Sequence, residues 1–193
     1  MRMPSWMFVV AIAVAAMGLA GQPSLGATHV GQASTRAAGP RFATIYINFE
    51  SDPTGSKPDG WTSADSPLVH FYDSMGSDLD VANTEPESHG NEIRVFSDDP
   101  GYLQIHIEGV GCGISMSFGN DDPSYSNPGD MAVLTTFRGT TRVAQASVEM
   151  NRNDVMDQRI GVTGERFNRA TFLYDVTTVG LIEIVDDIVI KTC

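Results

Sequence analysis

Basic side chains are scarce in this sequence. Lysine and arginine together number 12 against 24 aspartates and glutamates, a formal charge of −12. So acidic a surface repels a phosphate backbone, which argues against nucleic acid as a partner. It leaves carboxylates available for cations, although most acids on exported proteins are simply solvated. Cysteine is nearly missing: Cys112 and Cys193 are the only two, too few for a disulfide-rich scaffold and without metal-ligand spacing. His29, His70, His89 and His106 form neither HxH nor HExxH, which argues against zinc. The run GISMS, Gly113 to Ser117, lacks the second glycine of a nucleophile elbow and lies in an alternating strand pattern, so Ser115 is not a nucleophile.

Past the N-terminus, no apolar run is long enough to cross a bilayer. At the N-terminus, Arg2, the apolar stretch Met7 to Ala20 and the small residues after it have the layout of a secretory signal peptide. The expected organisation is a signal at 1–26, a flexible Gly, Ala, Ser and Thr linker at 27–40, and one domain at 41–193. Roughly 150 residues suit a single domain with a substantial core. Export would let Cys112 pair with Cys193, closing a loop of about 80 residues. The alternative is a buried Cys112 between Gly111 and Gly113 and a free thiol at the terminus.

No amphipathic helix of three turns is present. Instead, short β-type runs alternate with Gly, Pro, Asn and Asp. Strands are expected at 43–50, 68–72, 93–96, 102–108, 114–118, 131–137, 142–150, 170–174 and 181–190. The SDDPG segment, Ser97 to Gly101, reads as a hairpin turn between two of them. Leu103, Ile105 and Ile107 share one face and Tyr102, Gln104, His106 and Glu108 the other, so one side is core and one is wet. This pattern predicts an all-β fold, a two-sheet antiparallel sandwich with a jelly-roll-like arrangement.

INFESDPTG (Ile47 to Gly55), FYDSMGSDLDV (Phe71 to Val81), SMSFGNDDP (Ser115 to Pro123), NRNDVMDQ (Asn151 to Gln158) and LIEIVDDIVI (Leu181 to Ile190) together resemble a group of secreted bacterial β-sandwich proteins. Members open on a strand ending in Phe-Glu or Phe-Asp and close on a strand with a double acid or an Asp-Asn pair. They are similar to galactose-binding-like jelly-roll carbohydrate-binding modules and to uncharacterised exported proteins bearing a sorting signal. The Pro-Glu-Pro motif, hydrophobic helix and basic tail of the sorted members do not occur in this sequence. The resemblance implies a structural Ca²⁺ held by an acid ending the first strand and one on the last, here Glu50 with Asp186 or Asp187. Strand alternation lets only one of those two aspartates point inward unless a bulge intervenes.

A second oxygen-rich loop, Asn120, Asp121 and Asp122 with Asp130 after Gly129, could wrap a hard cation, though Asx-turn chemistry explains these residues equally well. Sugar-binding sandwiches present flat rings to pyranose faces, so Trp61, Tyr102 and Tyr125 are the candidate ligand-binding residues. A single Trp after a Pro-Asp-Gly turn more commonly lids one end of a core. Glu108 and Glu149 are the carboxylates to consider for glycoside hydrolysis, which needs them within about 10 Å of each other. The leading expectation is thus a secreted, non-catalytic ligand-binding sandwich whose partner is an extracellular glycan. A structural or cell-surface protein without a small ligand is the alternative, and an extracellular hydrolase the third.

Overall fold

The computed structural model describes residues 43–96, 100–176 and 181–193. The expected signal segment, the linker and most of the SDDPG turn lie outside the described residues. Among the described residues there is no helix, and so none long and apolar enough to cross a membrane.

The described residues form eleven strands in chain order: β1 (Thr44–Ile47), β2 (Gly55–Ser56), β3 (Trp61–Thr62), β4 (Val69–Asp73), β5 (Leu79–Asn83), β6 (Asn91–Val95), β7 (Leu103–Gly119), β8 (Met131–Arg138), β9 (Thr141–Glu149), β10 (Gln158–Asp175) and β11 (Glu183–Thr192). All pairings are antiparallel. The long strands β7 and β10 change partners along their length and so join two layers. The first half of β7 lies between β4 and the second half of β10, which continues to β8 and then β9. The second half of β7 lies between β11 and the first half of β10. Strand β11 carries β1 and β6 on its other edge, and β5 and β2 follow β6. The fold is therefore the all-β, two-sheet antiparallel sandwich that the alternation implied.

Alternation also makes the core. Phe71, Ile105, Leu134 and Phe172 project from one layer and Ile47, Phe118, Val185 and Ile188 from the other, and all are buried. Phe118 meets Phe172 at 5.9 Å between ring centroids and Phe49 meets Phe71 at 5.6 Å. Each such side chain contributes about 2 kcal/mol of hydrophobic stabilisation relative to exposure.

The bend in β7 shows in its inward-facing residues, which change from odd positions (103, 105, 107) to even ones (114, 116, 118). Gly109, at φ 115°, and Gly111 occupy the change of phase. A Cβ on Gly111 would lie 2.5 Å from the Phe167 ring, so that ring takes the place of a side chain at the corner. Cys112, in the same stretch, is disulfide-bonded to Cys193 with a Cα–Cα separation of 5.5 Å. The Cys193 N–H also donates to the Val110 carbonyl at 2.9 Å, and the last residue is thereby tied to the bend.

Three expectations need correction. The runs at 102–108 and 114–118 are one bent strand, because glycines carry the backbone through the intervening segment. The SDDPG segment does not join a hairpin: β6 pairs with β5 and β11, whereas β7 starts against β4 and β10 in the other layer. The run at 170–174 extends back to Gln158, since Ile160 and Val162 face the core between exposed Arg159, Gly161 and Thr163.

Candidate functional site

Five strands, β4, β7, β10, β8 and β9, turn alternate side chains away from the core onto one outer face. Their registers line up Tyr72, Gln104, Thr171, Thr135 and Gln145 as one row across the strands. A parallel row holds His70, His106, Arg169, Phe137 and Arg142. At about 4.8 Å per strand, each row runs for roughly 19 Å. The centre is low because Thr171 and Thr135 are short and buried between taller neighbours.

Ring and cation contacts hold the taller side chains in place. The Tyr72 and His106 rings stand 4.5 Å apart, and the Arg169 guanidinium lies 4.3 Å from the Phe137 centroid, a cation–π contact. His70 Nε2 is 3.1 Å from Glu108 Oε1, and Nδ1 is 3.2 Å from the Gly60 carbonyl. The bond to the Glu108 carboxylate, followed by that to Gly60, raises the His70 pKa above 6.5. His106 shifts downward, mainly through burial and then through the charges of Arg169 and His70. Its Nε2 and the Nε of Arg169 are buried without a protein partner.

Tyr102 immediately precedes β7, and its N–H donates to Ser74 Oγ at 2.8 Å. Trp61 sits elsewhere, packed against Phe49 and Phe71 at 6.4 and 5.9 Å between centroids, with Lys57 Nζ 5.6 Å from its ring. Tyr125 is 51% exposed in the turn that follows Asp122. The three aromatics thus occupy separate settings. Sequence alternation marked Gln104 and His106 as wet, but only strand pairing supplies their neighbours from β4, β10, β8 and β9.

At the other layer, the ends of the domain meet. Glu50 follows β1, and its Oε1 accepts the Asn91 N–H at 2.9 Å. Gly90 permits this approach, since a Cβ there would fall 1.9 Å from that oxygen. On β11 the pairing with β7 slips between Asp186 and Val189, and Asp187 takes φ 49°, so the strand carries a bulge here although only Asp186 points inward. Asp186 points inward at 1% exposure and accepts the Asp187 N–H at 2.6 Å. Asp187 remains half-buried, 3.1 Å from His89 Nδ1 and 3.5 Å from Ser117 Oγ. One ligand atom from each of His89, Asp186 and Asp187 lies within 4.8 Å of the others. Burial raises the Asp186 pKa to about 7; the Asp187 and Glu50 carboxylates add to the rise, while the Asp187 N–H and His89 oppose it. Sequence spacing gave no hint of His89, which is 98 residues from Asp187.

The second oxygen-rich loop makes extensive internal bonds. Asp121 is buried and accepts the N–H groups of Arg152, Asn153 and Asp154 at 2.6, 3.1 and 2.8 Å. Asp122 accepts from Ser124 N–H and Asp130 from Asn127 N–H, while Asn120 donates to the Ile182 carbonyl at 2.8 Å. Glu108 and Glu149 do not face each other: three strand steps separate β7 from β9, and Glu149 Oε1 accepts the Gly129 N–H.

No family model matches the chain, and no curated protein does either. Among solved structures, the chain is similar to a mutant of the family 29 carbohydrate-binding module CBM29-2 (10% identity, TM-score 0.42), over 78% of this chain and 93% of that one. A DUF4465 family protein from Bacteroides caccae is similar at 11% identity and TM-score 0.45, over 78% and 100% of the two chains. The K1 cleaved adhesin domain of Lys-gingipain from Porphyromonas gingivalis is similar at 9% and 0.44, over 78% and 99%.

Proposed function

We propose that the chain is an exported, non-catalytic glycan-binding sandwich whose ligand lies along the five-strand outer face. The row Tyr72, Gln104, Thr171, Thr135 and Gln145 carries this reading. A flat ring packs against the C–H face of a sugar, and amides and hydroxyls exchange hydrogen bonds with its hydroxyls. Paired strands fix these groups before a ligand arrives, which lowers the entropy cost of binding. Export is supported by the Cys112–Cys193 disulfide, a bond that persists in oxidising compartments.

Calcium at the clasp is the associated proposal. A buried Asp186 with Asp187 and Glu50 close by is a donor set that a hard cation would neutralise, and Ca²⁺ takes carboxylate oxygens. Glu50, Asp186 and Asp187 would hold it and join the first strand to the last. A glycan array tests the main reading. Binding should fall in Tyr72→Ala and Gln104→Ala, and blank arrays with the folded chain would withdraw it in favour of a structural role.

A further inference from the structure

The opposite layer carries a groove that the face described above does not use. Among the described residues, strand β1 pairs only with β11, and Tyr46 is 68% exposed. From Tyr46 the registers pass to Val189, then Ser115, then Gly161, and the surface drops as the side chains shorten. Arg159, two residues before Gly161 on the same face, turns back over this low ground. Its guanidinium donates to Ser117 Oγ at 3.1 Å, Ser115 Oγ at 3.4 Å and the Asp187 carbonyl at 3.2 Å. Three acceptors on two other strands hold the guanidinium still. Asn48 and Asp65 close one end, the Asp65 carboxylate being fixed by the N–H groups of Asn48 and Phe49 at 2.9 and 3.2 Å. The space between Tyr46 and Arg159 measures about 410 Å³, at the small end of the range for small-molecule sites.

We infer that this groove is a second sugar site, taking one neutral hexopyranose unit between the Tyr46 ring and the Arg159 guanidinium. The inference rests on the reading that the chain binds glycans, but on none of the residues that carry it. An exposed aromatic offers a stacking surface for the apolar face of a pyranose. A fixed guanidinium donates to adjacent hydroxyls, and carboxylates accept from them. The ligand is neutral because the acidic residues Asp65 and Asp187 line the same groove as Arg159 and disfavour an acidic sugar. Two sites on opposite layers would let one molecule bridge two glycan chains or grip one chain twice, raising avidity without new contacts.

The test is an amide NMR titration of the disulfide-bonded chain at fixed calcium, with the methyl pyranosides of galactose, glucose and mannose as probes. One of them should produce saturating shifts at Tyr46, Ser115, Gly161 and Val189. Tyr46→Ala and Arg159→Gln should each weaken that site at least about tenfold, with Arg159→Lys intermediate and Tyr72→Ala without effect. Well-dispersed spectra of the variants show that they are folded. If Tyr46→Ala and Arg159→Gln titrate like the parent, or if shifts appear only around Tyr72 and Gln104, the groove site is overturned and the outer-face reading stands. If no pyranoside shifts any residue, the groove is likewise overturned, and the array alone decides the outer face. Shifts at the groove together with array binding indifferent to Tyr72→Ala would uphold the groove and overturn the outer face.

Discussion

His70 and His106 face each other as register partners on β4 and β7, and their surroundings move their protonation in opposite directions. Glu108 and the Gly60 carbonyl favour the charged form of His70. Burial beside Arg169 favours the neutral form of His106.

The two imidazoles should therefore titrate on either side of 6.5 in an NMR pH series, His70 above and His106 below. A raised His70 stabilises the fold fully below the unfolded pKa, and that contribution is lost as pH rises through the folded value. A lowered His106 contributes above the unfolded pKa, and its contribution is lost as pH falls through the folded value. Glu108→Gln should bring His70 back toward 6.5 and leave His106 below it. Coincident midpoints in the parent would contradict this account.

Reduction of the Cys112–Cys193 bond, or Cys193→Ser, should lower the melting temperature by about ten degrees. The bond spans 81 residues, for which the chain-entropy model gives roughly 4 kcal/mol. Thermal melts with and without reductant measure it.

Gly111→Ala should destabilise by about 1 to 3 kcal/mol, because its Cβ would meet the aromatic ring of Phe167. Shrinking that ring in Gly111→Ala/Phe167→Leu should recover part of the loss relative to Phe167→Leu alone. Strict additivity in denaturant titrations would show that the two residues do not compete for the same space.

Asp186→Asn should act with opposite signs in EDTA and in calcium. Without a cation at pH 8, a buried carboxylate with a pKa of about 7 costs stability that the amide avoids, and the variant should gain more than about 1.4 kcal/mol. In millimolar Ca²⁺ the parent should melt higher than in EDTA while the variant stays unchanged, since a ligand of the folded state alone raises its stability. A parent melting temperature indifferent to Ca²⁺ would remove the calcium proposal.

Much of this architecture was legible in residue order. The alternation Leu103, Ile105, Ile107 and then Ile114, Met116, Phe118 assigns inward faces, although it reads as two strands where one bent strand runs. What stayed hidden was less apolar or more remote. Strand β5 has Leu79 and Val81 inward but lies in an acidic stretch, and the first half of β10 has only Ile160 and Val162 among polar neighbours. Alternation let one of Asp186 and Asp187 point inward, whereas neither the bulge between them and Val189 nor the approach of His89 followed from any spacing.

Local pattern suffices for acidic composition, strand content and the inward face of most strands, because these depend on neighbours along the chain and on a period of two. Which strands pair is settled by burial across the whole domain, since β7 and β10 must each serve both layers to enclose a single core. For that reason Tyr72 and Gln145, or Tyr46 and Arg159, come to share a surface only after folding. The chemistry of those surfaces belongs to strand registers, which no segment of the sequence specifies alone.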